Sequence, residues 1–579
     1  MTKFEVWAPL AGQVELEVSG MRIPMSAGQR GWWRVDTPIV NPADDYAFFL
    51  DGQGPFPDPR SPYQPYGVHG HSRPVDHQAF RWSDQRWQAP PLSAAVIYEL
   101  HVGTFTPEGT FDAAISRLDH LVELGVTHVE LMPVAEFPGR RGWGYDGVDL
   151  YAPHHAYGGP DGLKRLVDAC HARGLAVLLD VVYNHLGPDG NYLGRFGPYF
   201  SRGHSIAWGE AINFDGPNSE PVRRFFIDNA LMWFRDYHFD GLRLDAVHAI
   251  FDASATHFLE QLAMEAELLG AQLGRHLVLI AESDLNDPRI VRPREASGYG
   301  IHAQWNDDFH HALHSAFTGE RSGYYQDFGP IAHIAKALRH GFVYDGCYSE
   351  HRARPHGRPA TGLSGHRFLG YFQNHDQVGN RARGDRASAL LTPGRLKAAA
   401  ALVMTAPFGP MLFQGEEWGA SSSFVFFTDH GNPVLAKGVR EGRRREFEAF
   451  GWKAEEIPDP QAEDSFLRSK LDWNEVRAGW HAELFEWWKS LIRLRRNTAA
   501  LADGRMDQVN VAFDEDAKWL RVKRGPIAVA VNLGPQRARV ALGYTVAPKL
   551  LLASDRSITA GAGAVEMPPD SVAIVARPA

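Results

Sequence analysis

Between about residues 95 and 498, stretches typical of β-strands alternate with stretches typical of α-helices. The strand candidates lie at residues 96–100, 129–133, 176–182, 241–247, 277–282, 300–305, 367–373 and 410–414. The run at 176–182 is apolar apart from Asp180, as expected for a parallel strand that helices cover on both faces. Alternation by itself also fits an open, doubly wound sheet. Eight strand–helix units favour a closed (β/α)8 TIM barrel of the α/β class, in which functional side chains lie at the carboxyl ends of the strands.

Helices are indicated by apolar residues that recur every three or four positions. Phe111, Ile115, Leu118 and Val122 form one such series and predict a single helix. Further helices are predicted near residues 163–173, 222–237, 256–270, 394–405 and 480–497.

The sequence divides into three predicted domains. Short alternating or aromatic runs in residues 1–90, separated by Gly, Pro and Asp, predict an N-terminal immunoglobulin-like β-sandwich. Residues 91–498 form the predicted barrel, with long insertions near 186–220 and 321–365 whose length and aromatic content favour function. Short strands return in residues 499–579 and predict a C-terminal β-sandwich.

Charge and cysteine content narrow the class of protein. A formal net charge of −10 argues against a nucleic-acid partner, which favours a basic surface. Cys170 and Cys347 are the two cysteines among 579 residues, so we expect no disulfide framework and a reducing compartment. No apolar stretch approaches the ~18 residues of a membrane helix, and the first residues lack the apolar core of a signal peptide. We therefore expect a cytoplasmic protein without membrane association or an obligate protein partner.

Three carboxylates follow three of the predicted strands. Arg243 and Asp245 share one side of the fourth strand, and the arginine favours the ionised carboxylate that a nucleophile requires. Glu282 ends the fifth strand, where partial burial would raise its pKa into the range of a general acid. Asp376 follows the seventh strand. Each alone could be an ordinary ion pair or surface carboxylate, but three at one barrel rim predict a catalytic cluster.

Further polar side chains fall on the same predicted rim. They are His101, Tyr145, Asp146, Asp180, Asn184, His185, His248 and His375. A single histidine is as a rule a structural group, but His185 and His375 stand beside strand-end acids, which favours contact with a substrate. No Cys-x-x-Cys pair or phosphate-binding glycine loop occurs, and no histidine pair is singled out as metal ligands. We predict neither a metal site nor a cofactor.

Four segments resemble, in order, the four signature regions of the α-amylase superfamily, glycoside hydrolase family 13. They are Asp180–His185, Gly241–Asp245, the strand that ends at Glu282, and Asn374–Asp376. The resemblance implies a retaining glycosidase in which Asp245 attacks the anomeric carbon and Glu282 protonates the leaving oxygen and then activates water. It implies that Asp376 holds hydroxyls of the distorted sugar. The residues expected around that sugar are His185, Arg243 and His375, with Tyr145 as its stacking platform.

Other segments resemble one branch of that superfamily, whose members hydrolyse the α-1,4 bond next to a terminal trehalose. Residues 305–311, 372–380 and 427–430 resemble this branch specifically, whereas residues 6–9 and 58–70 are similar both to it and to glycogen branching enzymes. The resemblance implies a maltooligosyltrehalose, or another α-glucan oligosaccharide, as the substrate. Further candidate substrate contacts are His248, Asp307, Asp308, His310, His311, Gln377 and Arg381. Asn184 matches a calcium ligand of some amylases, but no partner ligands are identified and no bound ion is predicted.

Two alternatives remain open. A glucan branching enzyme would use the same glycosyl-enzyme with a sugar as acceptor instead of water, although many such enzymes carry Glu where Gln377 stands. A non-catalytic glucan-binding barrel is expected to have lost its acids, and all three are present here.

Overall fold

Eight parallel strands close into a barrel in the computed structural model, which describes residues 2–37, 44–206, 209–448, 452–453, 457–543 and 545–577. In chain order they are Ile97–Leu100, His128–Leu131, Ala176–Val181, Gly241–Leu244, Val278–Ala281, Ala303–Trp305, Phe368–Gly370 and Gly409–Phe413. Each strand pairs with its neighbour in the chain, and the last closes on the first where Met411 faces Ile97. The predicted fold class, with β-rich flanks on both sides of the barrel, is confirmed.

Helices cover the barrel or cap its loops. In chain order the α-helices are Val102–Phe105, Phe111–Ile115, Leu118–Leu124, Gly159–His171, Leu193–Phe196, Ser219–Asp236, Phe258–Leu273, Asp307–Thr318, Ile331–His340, His375–Gly379, Ala387–Leu390, Pro393–Thr405, Pro433–Glu448, Glu463–Leu467, Gly479–Arg496 and Ala499–Ala502. Over the described residues, none has the length and apolar character needed to span a membrane.

The prediction of one helix through Phe111 and Val122 is wrong. The segment forms two helices that meet near Ser116, whose hydroxyl donates to the carbonyl of Ala113 and competes with the helical backbone pattern. The break changes the phase of the second helix. Leu121 is therefore buried and Val122 is 45% exposed.

The insertion at 321–365 is more ordered than a loop. It contains the helix Ile331–His340 and the antiparallel hairpin Asp345–Ser349 with Arg354–Gly357. The insertion at 186–220 contains the short helix Leu193–Phe196 and the hairpin Phe200–Ile206 with Gly209–Ile212; its residues 207 and 208 lie outside the described part of the chain.

Antiparallel sheets flank the barrel. On the N-terminal side, one sheet contains Thr2–Trp7, Trp32–Thr37 and Ser26–Ala27, and a second contains Met21–Pro24, Val14–Val18, Tyr46–Leu50 and Gln53–Phe56. On the C-terminal side, a five-stranded sheet contains Val509–Asp514, Trp519–Arg524, Ile527–Asn532, Ser571–Ala576 and Lys549–Ala553, and a three-stranded sheet contains Ala538–Ala541, Ala564–Met567 and Thr559–Gly561. A short ladder of Ala135–Glu136 with Asp149–Pro153 follows the second barrel strand.

Candidate active site

One buried guanidinium organises the carboxyl end of the barrel. Arg243 is fully buried, and its Nη1 lies 2.8 Å from Oδ1 of Asp245 and 2.8 Å from Oδ2 of Asp180. Its Nη2 lies 3.0 Å from Oε2 of Glu282. Asp180 and Arg243 face each other in the register of neighbouring strands, so both side chains enter the barrel. The guanidinium carbon stands 4.1 Å from the ring centroid of Trp305, a cation–π contact that fixes its plane.

Asp245 is held as a carboxylate. Its Oδ2 accepts a hydrogen bond of 2.7 Å from Nδ2 of Asn184, and its Oδ1 accepts one from Arg243. Burial by itself would raise the pKa of Asp245, but the charge of Arg243, the nearby His185 and these hydrogen bonds bring it below its ordinary value. An ionised carboxylate is the form that can attack carbon.

The surroundings of Glu282 favour its protonated form instead. Burial raises the pKa of Glu282 well above its ordinary value; Arg243 opposes this, and the charges of Asp245 and Asp376 add to it. Its Oε2 also accepts a hydrogen bond of 2.7 Å from the backbone N–H of Ala246. Ala246 adopts a left-handed conformation with φ of 39°, which turns the chain just after Asp245. The two carboxyls therefore differ in protonation, as a nucleophile and a general acid must.

Asp376 and His375 occupy the start of the helix His375–Gly379. The side chain of Asp376 is 33% exposed, the most open of the three acids, and its Oδ1 accepts from Nδ2 of Asn380 at 3.1 Å. His375 is buried, with Nδ1 2.5 Å from Oε1 of Glu99 and Nε2 2.8 Å from the Tyr145 hydroxyl. Burial by itself would lower the pKa of His375, but the charges of Asp376 and Glu99 raise it to about 9.

Tyr145 and His185 line the same site. The Tyr145 hydroxyl donates to Oδ2 of Asp180 at 2.7 Å, and its ring stacks on His375 with centroids 5.2 Å apart. The Nε2 atom of His185 lies 3.1 Å from the carbonyl of Tyr145. Burial lowers the pKa of His185 and keeps its ring neutral near pH 7.

Two of the remaining predicted contacts also reach this site. Asp307 accepts hydrogen bonds from the Tyr371 hydroxyl at 2.6 Å and from Nε2 of Gln377 at 3.2 Å. Burial raises the pKa of Asp307 to about 6, and Asp376 adds to the shift.

Asp308 and His310 are turned into the protein. Asp308 is 3% exposed, and its Oδ2 accepts from Nδ2 of Asn286 and from the backbone N–H groups of Val343 and Tyr344. The two ring nitrogens of His310 lie 2.7 Å from the carbonyl of Phe372 and 3.0 Å from the Tyr325 hydroxyl. With every polar atom engaged or buried, these two side chains support the site rather than contact a sugar.

The other three predicted contacts interact with residues outside the cluster of Arg243 and the three acids. His248 stands 3.9 Å from Oδ1 of Asp284. His311 packs among Tyr324, Tyr325 and Phe328. Arg381 donates to Oε2 of Glu320 at 2.8 Å.

Sequence reasoning missed Glu99 and Tyr371. A signal existed for Glu99, since it is a charged residue within the otherwise apolar run 96–100. Tyr371 precedes the motif at residues 372–380 and carries no such signal. His310 and His314 have the i, i+4 spacing of helical metal ligands, and this pair is not singled out from the sequence. In the structure, Nε2 of His314 lies 2.6 Å from Oε2 of Glu320.

One cluster among the described residues has metal-ligand geometry, away from Arg243. Ligand atoms of Glu136, His154 and His155 all lie within 4.8 Å of one another. Glu136 already accepts from the backbone N–H of His155 and lies 2.7 Å from its Nδ1. Asn184 is the residue that matches a calcium ligand of some amylases. Its Nδ2 atom donates hydrogen bonds to both the carbonyl and Oδ2 of Asp245.

A closed parallel barrel with an ionised and a protonated carboxyl on one guanidinium defines a glycosidase of the α-amylase class. Residues 77–196 match the family model described as alpha amylase, catalytic domain, and residues 504–574 match a domain of unknown function, DUF3459. A malto-oligosyltrehalose trehalohydrolase of Rhizobium sp. (strain M-11) is 50% identical over 99% of this chain and 97% of its own. One of Mycobacterium tuberculosis is 50% identical over 99% of both chains. The chain belongs to the malto-oligosyltrehalose trehalohydrolase family.

A solved structure agrees with this assignment. The crystal structure of a putative alpha amylase from Salmonella typhimurium superposes with a TM-score of 0.91 at 38% identity. The alignment covers 99% of this chain and 97% of that one, so it includes both β-rich flanks as well as the barrel.

Proposed function

We propose that this protein hydrolyses the α-1,4-glucosidic bond next to the terminal trehalose of a maltooligosyltrehalose and releases trehalose, with retention of configuration. The observation that carries the chemistry is the opposite protonation bias of Asp245 and Glu282 on the single guanidinium of Arg243. The choice of substrate follows the names of relatives that are 45–52% identical and span 91–99% of the chain.

The reaction has two displacements at the anomeric carbon. In the first, a carboxylate oxygen of Asp245 forms a bond to that carbon while the bond to the glycosidic oxygen breaks, and Glu282 gives its proton to the leaving oxygen. In the second, Glu282, now a carboxylate, takes a proton from water, whose oxygen replaces Asp245 on the carbon. Each displacement inverts the carbon, so the pair retains its configuration.

The neighbouring groups hold the sugar and its charge. Asp376 is the most exposed acid and is placed to accept hydroxyl protons of the sugar beside the nucleophile. Tyr145 and His185 complete the walls around Asp245, and Asp307 with Gln377 extends the polar surface past Asp376. We assign His248, His311 and Arg381 to the outer rim as candidate contacts to more distant sugars.

Three wider features belong to the proposal. We assign residues 1–90 to an N-terminal β-sandwich, 91–498 to the catalytic barrel and 499–579 to a C-terminal β-sandwich.

Cys170 and Cys347 are unpaired, as suits a reducing cytoplasm. The reaction needs no cofactor, because the two carboxyls supply both the nucleophile and the proton.

The test compares two substrates of equal length. Maltotriosyltrehalose and maltopentaose each contain five glucose units, so a preference reflects the trehalose end and not chain length. Chromatography separates the products. We expect trehalose and maltotriose from maltotriosyltrehalose, and little cleavage of maltopentaose. Equal cleavage of both would reject the trehalose specificity while leaving the glycosidase chemistry intact. Incubation with amylose separates the branching alternative, which would form α-1,6 links and change iodine staining.

A further inference from the structure

Glu99 lies on the first barrel strand, and within the described part of the chain its carboxylate is hydrogen-bonded to one residue, His375. Its side chain is 1% exposed. Its Oε1 lies 2.5 Å from Nδ1 of His375, and its Oε2 accepts the backbone N–H of the same residue at 3.0 Å. Two contacts to one partner fix both the position and the rotation of the imidazole. The two residues are 276 positions apart, so the barrel alone brings them together.

The direction of each hydrogen bond from Glu99 to the nucleophile follows from counting protons. Oδ2 of Asp180 takes an N–H from Arg243 and the hydroxyl proton of Tyr145. Burial raises the pKa of Asp180 to about 7, so above that pH Asp180 is a carboxylate and takes the single proton of the hydroxyl. The hydroxyl then accepts from Nε2 of His375, 2.8 Å away. A carboxylate only accepts, so Nδ1 of His375 must donate to Glu99. Both ring nitrogens therefore carry protons.

We propose that Glu99 is a positioning residue for the reaction: it holds His375 doubly protonated, so that the Tyr145 hydroxyl accepts from His375 and donates to Asp180, which shares the guanidinium of Arg243 with Asp245. The proposal rests on the proposed function, in which Asp245 is the nucleophile. Without the Glu99 charge, His375 would lose the Nε2 proton at a lower pH. Nε2 would then accept, the Tyr145 hydroxyl would turn toward it, and Asp180 would lose a donor.

The surroundings of His375 support a cation at this place. The titratable or charged groups that face it from the packed elements are Glu99, Asp376, Tyr145, Asp180, Arg243, Glu130 and His101. Asp376 comes within 3.5 Å of Nε2, and the rings of Trp143 and Trp305 pack beside the imidazole. Arg243 and any charge on His101 oppose the cation; the carboxylates outweigh them.

Glu130 offers a matched control. It faces Glu99 directly in the register of the first two barrel strands and is equally buried, yet neither of its oxygens has a hydrogen-bond partner among the described residues. Burial and the Glu99 charge raise the pKa of Glu130 well above its ordinary value. Glu130→Gln therefore changes an equally buried acid of nearly the same shape without removing a side-chain hydrogen bond among the described residues.

The first experiment measures kcat and KM of Glu99→Gln, Glu99→Asp and Glu130→Gln from pH 5 to 10. We expect Glu99→Gln to lower kcat about 10- to 100-fold with a smaller change in KM, since a small misplacement of acting groups has effects of this size. The alkaline limb of the kcat profile of Glu99→Gln should move to lower pH, because loss of the Glu99 charge lowers the pKa of His375. Glu99→Asp should restore part of kcat, and Glu130→Gln should match the wild type. A folded Glu99→Gln protein with wild-type kcat and limb would overturn the proposal.

A second measurement needs no turnover. Nitrogen-15 NMR of histidine-labelled protein, with His375→Gln to identify the missing signal, reports the protonation of His375. We expect both ring nitrogens to be protonated at pH 8, and a neutral ring at that pH would overturn the proposal. If the wild type fails to release trehalose, the same signal in Glu99→Gln decides the matter: loss of one ring proton at pH 8 leaves the role of Glu99 standing although the proposed substrate is wrong, and an unchanged doubly protonated ring overturns that role.

Discussion

The side chains of Asp245 and Glu282 illustrate how one cation can leave two neighbouring acids in different protonation states. Asp245 receives hydrogen bonds from Arg243 and Asn184, which favour its charged form. Glu282 meets the Nη2 atom of the same arginine but is surrounded by other carboxylates, and its burial outweighs the attraction. The opposite pKa shifts thus come from the hydrogen bonds, burial and neighbouring charges at each carboxyl and not from residue type.

Replacing the nucleophile tests this division directly. Asp245→Ala should lower kcat by several orders of magnitude, because no other carboxylate can form the bond to carbon. Asp112→Ala, which removes an exposed partner of Arg165, should leave kcat unchanged. Circular dichroism would verify that both variants are folded. Retention of more than a tenth of the wild-type kcat in a pure preparation would remove Asp245 from its assigned role.

The pH dependence of kcat/KM follows from the opposite pKa shifts of Asp245 and Glu282. Activity requires ionised Asp245, whose pKa is lowered, and protonated Glu282, whose pKa is raised, so the profile should be a bell with a wide plateau. Since these acids interact, each limb belongs to the cluster and not to a single residue.

Glu282→Gln should separate the two limbs. The variant cannot donate a proton, so the rate should collapse and the limb that Glu282 contributes should vanish from any residual activity. Azide should rescue its turnover of a substrate with a good leaving group and yield an α-glycosyl azide, because azide needs no general base. A Glu282→Gln protein with a wild-type rate, or a β-glycosyl azide, would show that another group is the acid.

Among the elements, the hairpin Asp345–Ser349 with Arg354–Gly357 is fastened to the loop that follows Glu282. Arg352 donates to Oδ2 of Asp284 at 3.0 Å, and Nε2 of His356 lies 2.6 Å from the carbonyl of Asp284. Asp308 holds the chain at the base of the hairpin through two backbone N–H groups. The insertion is therefore bonded to the loop that follows Glu282.

Asp308 should behave as a structural group. Asp308→Ala leaves three donors without their acceptor and should lower the free energy of unfolding by about 3 kcal/mol. Asp308→Asn keeps an oxygen at the same place and should lose less. In thermal melts we expect the alanine variant to melt well below the asparagine variant, with kcat/KM of the latter within about threefold of wild type. A stable Asp308→Asn protein with a large rise in KM would instead indicate direct substrate contact.

At the scale of the whole molecule, arginine side chains join the barrel to its C-terminal sheets. Arg395, on the helix Pro393–Thr405, pairs with Asp570 at 2.7 Å and donates to the carbonyl of Leu533 at 3.1 Å. Arg524 of the five-stranded sheet donates to the carbonyls of Thr405 and Ala406 at the end of that helix. The β-rich flank is thus bonded to the helix that precedes the last barrel strand.

Removing one of these arginine contacts should lower the free energy of unfolding without changing kcat. Arg395→Ala should destabilise the folded protein by about 2 kcal/mol, because it removes the ion pair with Asp570 and the donors to the carbonyls of Phe317 and Leu533. Lys437→Ala, which breaks an exposed i, i+4 pair, should change stability by less than about 0.5 kcal/mol. Calorimetry would record the melting temperatures. An Arg395→Ala protein that melts like the Lys437→Ala protein would contradict this assignment.

The sequence by itself determined the barrel, the order of its strands and the three acids at their ends. These depend on short-range information: the periodicity of apolar residues sets strand or helix, and the residue after a parallel strand necessarily lies at the common rim. It also identified Arg243 as the partner of Asp245, since two residues apart on a strand share a side.

Only the tertiary structure decided which side chains act and which support. Asp307 and Asp308 are adjacent, yet successive helical residues point about 100° apart, so one faces the acids and the other the interior. The contact of Glu99 with His375 joins the first strand to the loop after the seventh. The raised pKa of Glu282 depends on burial and on charges from several strands. Such properties arise from distances between remote parts of the chain, which local patterns do not encode.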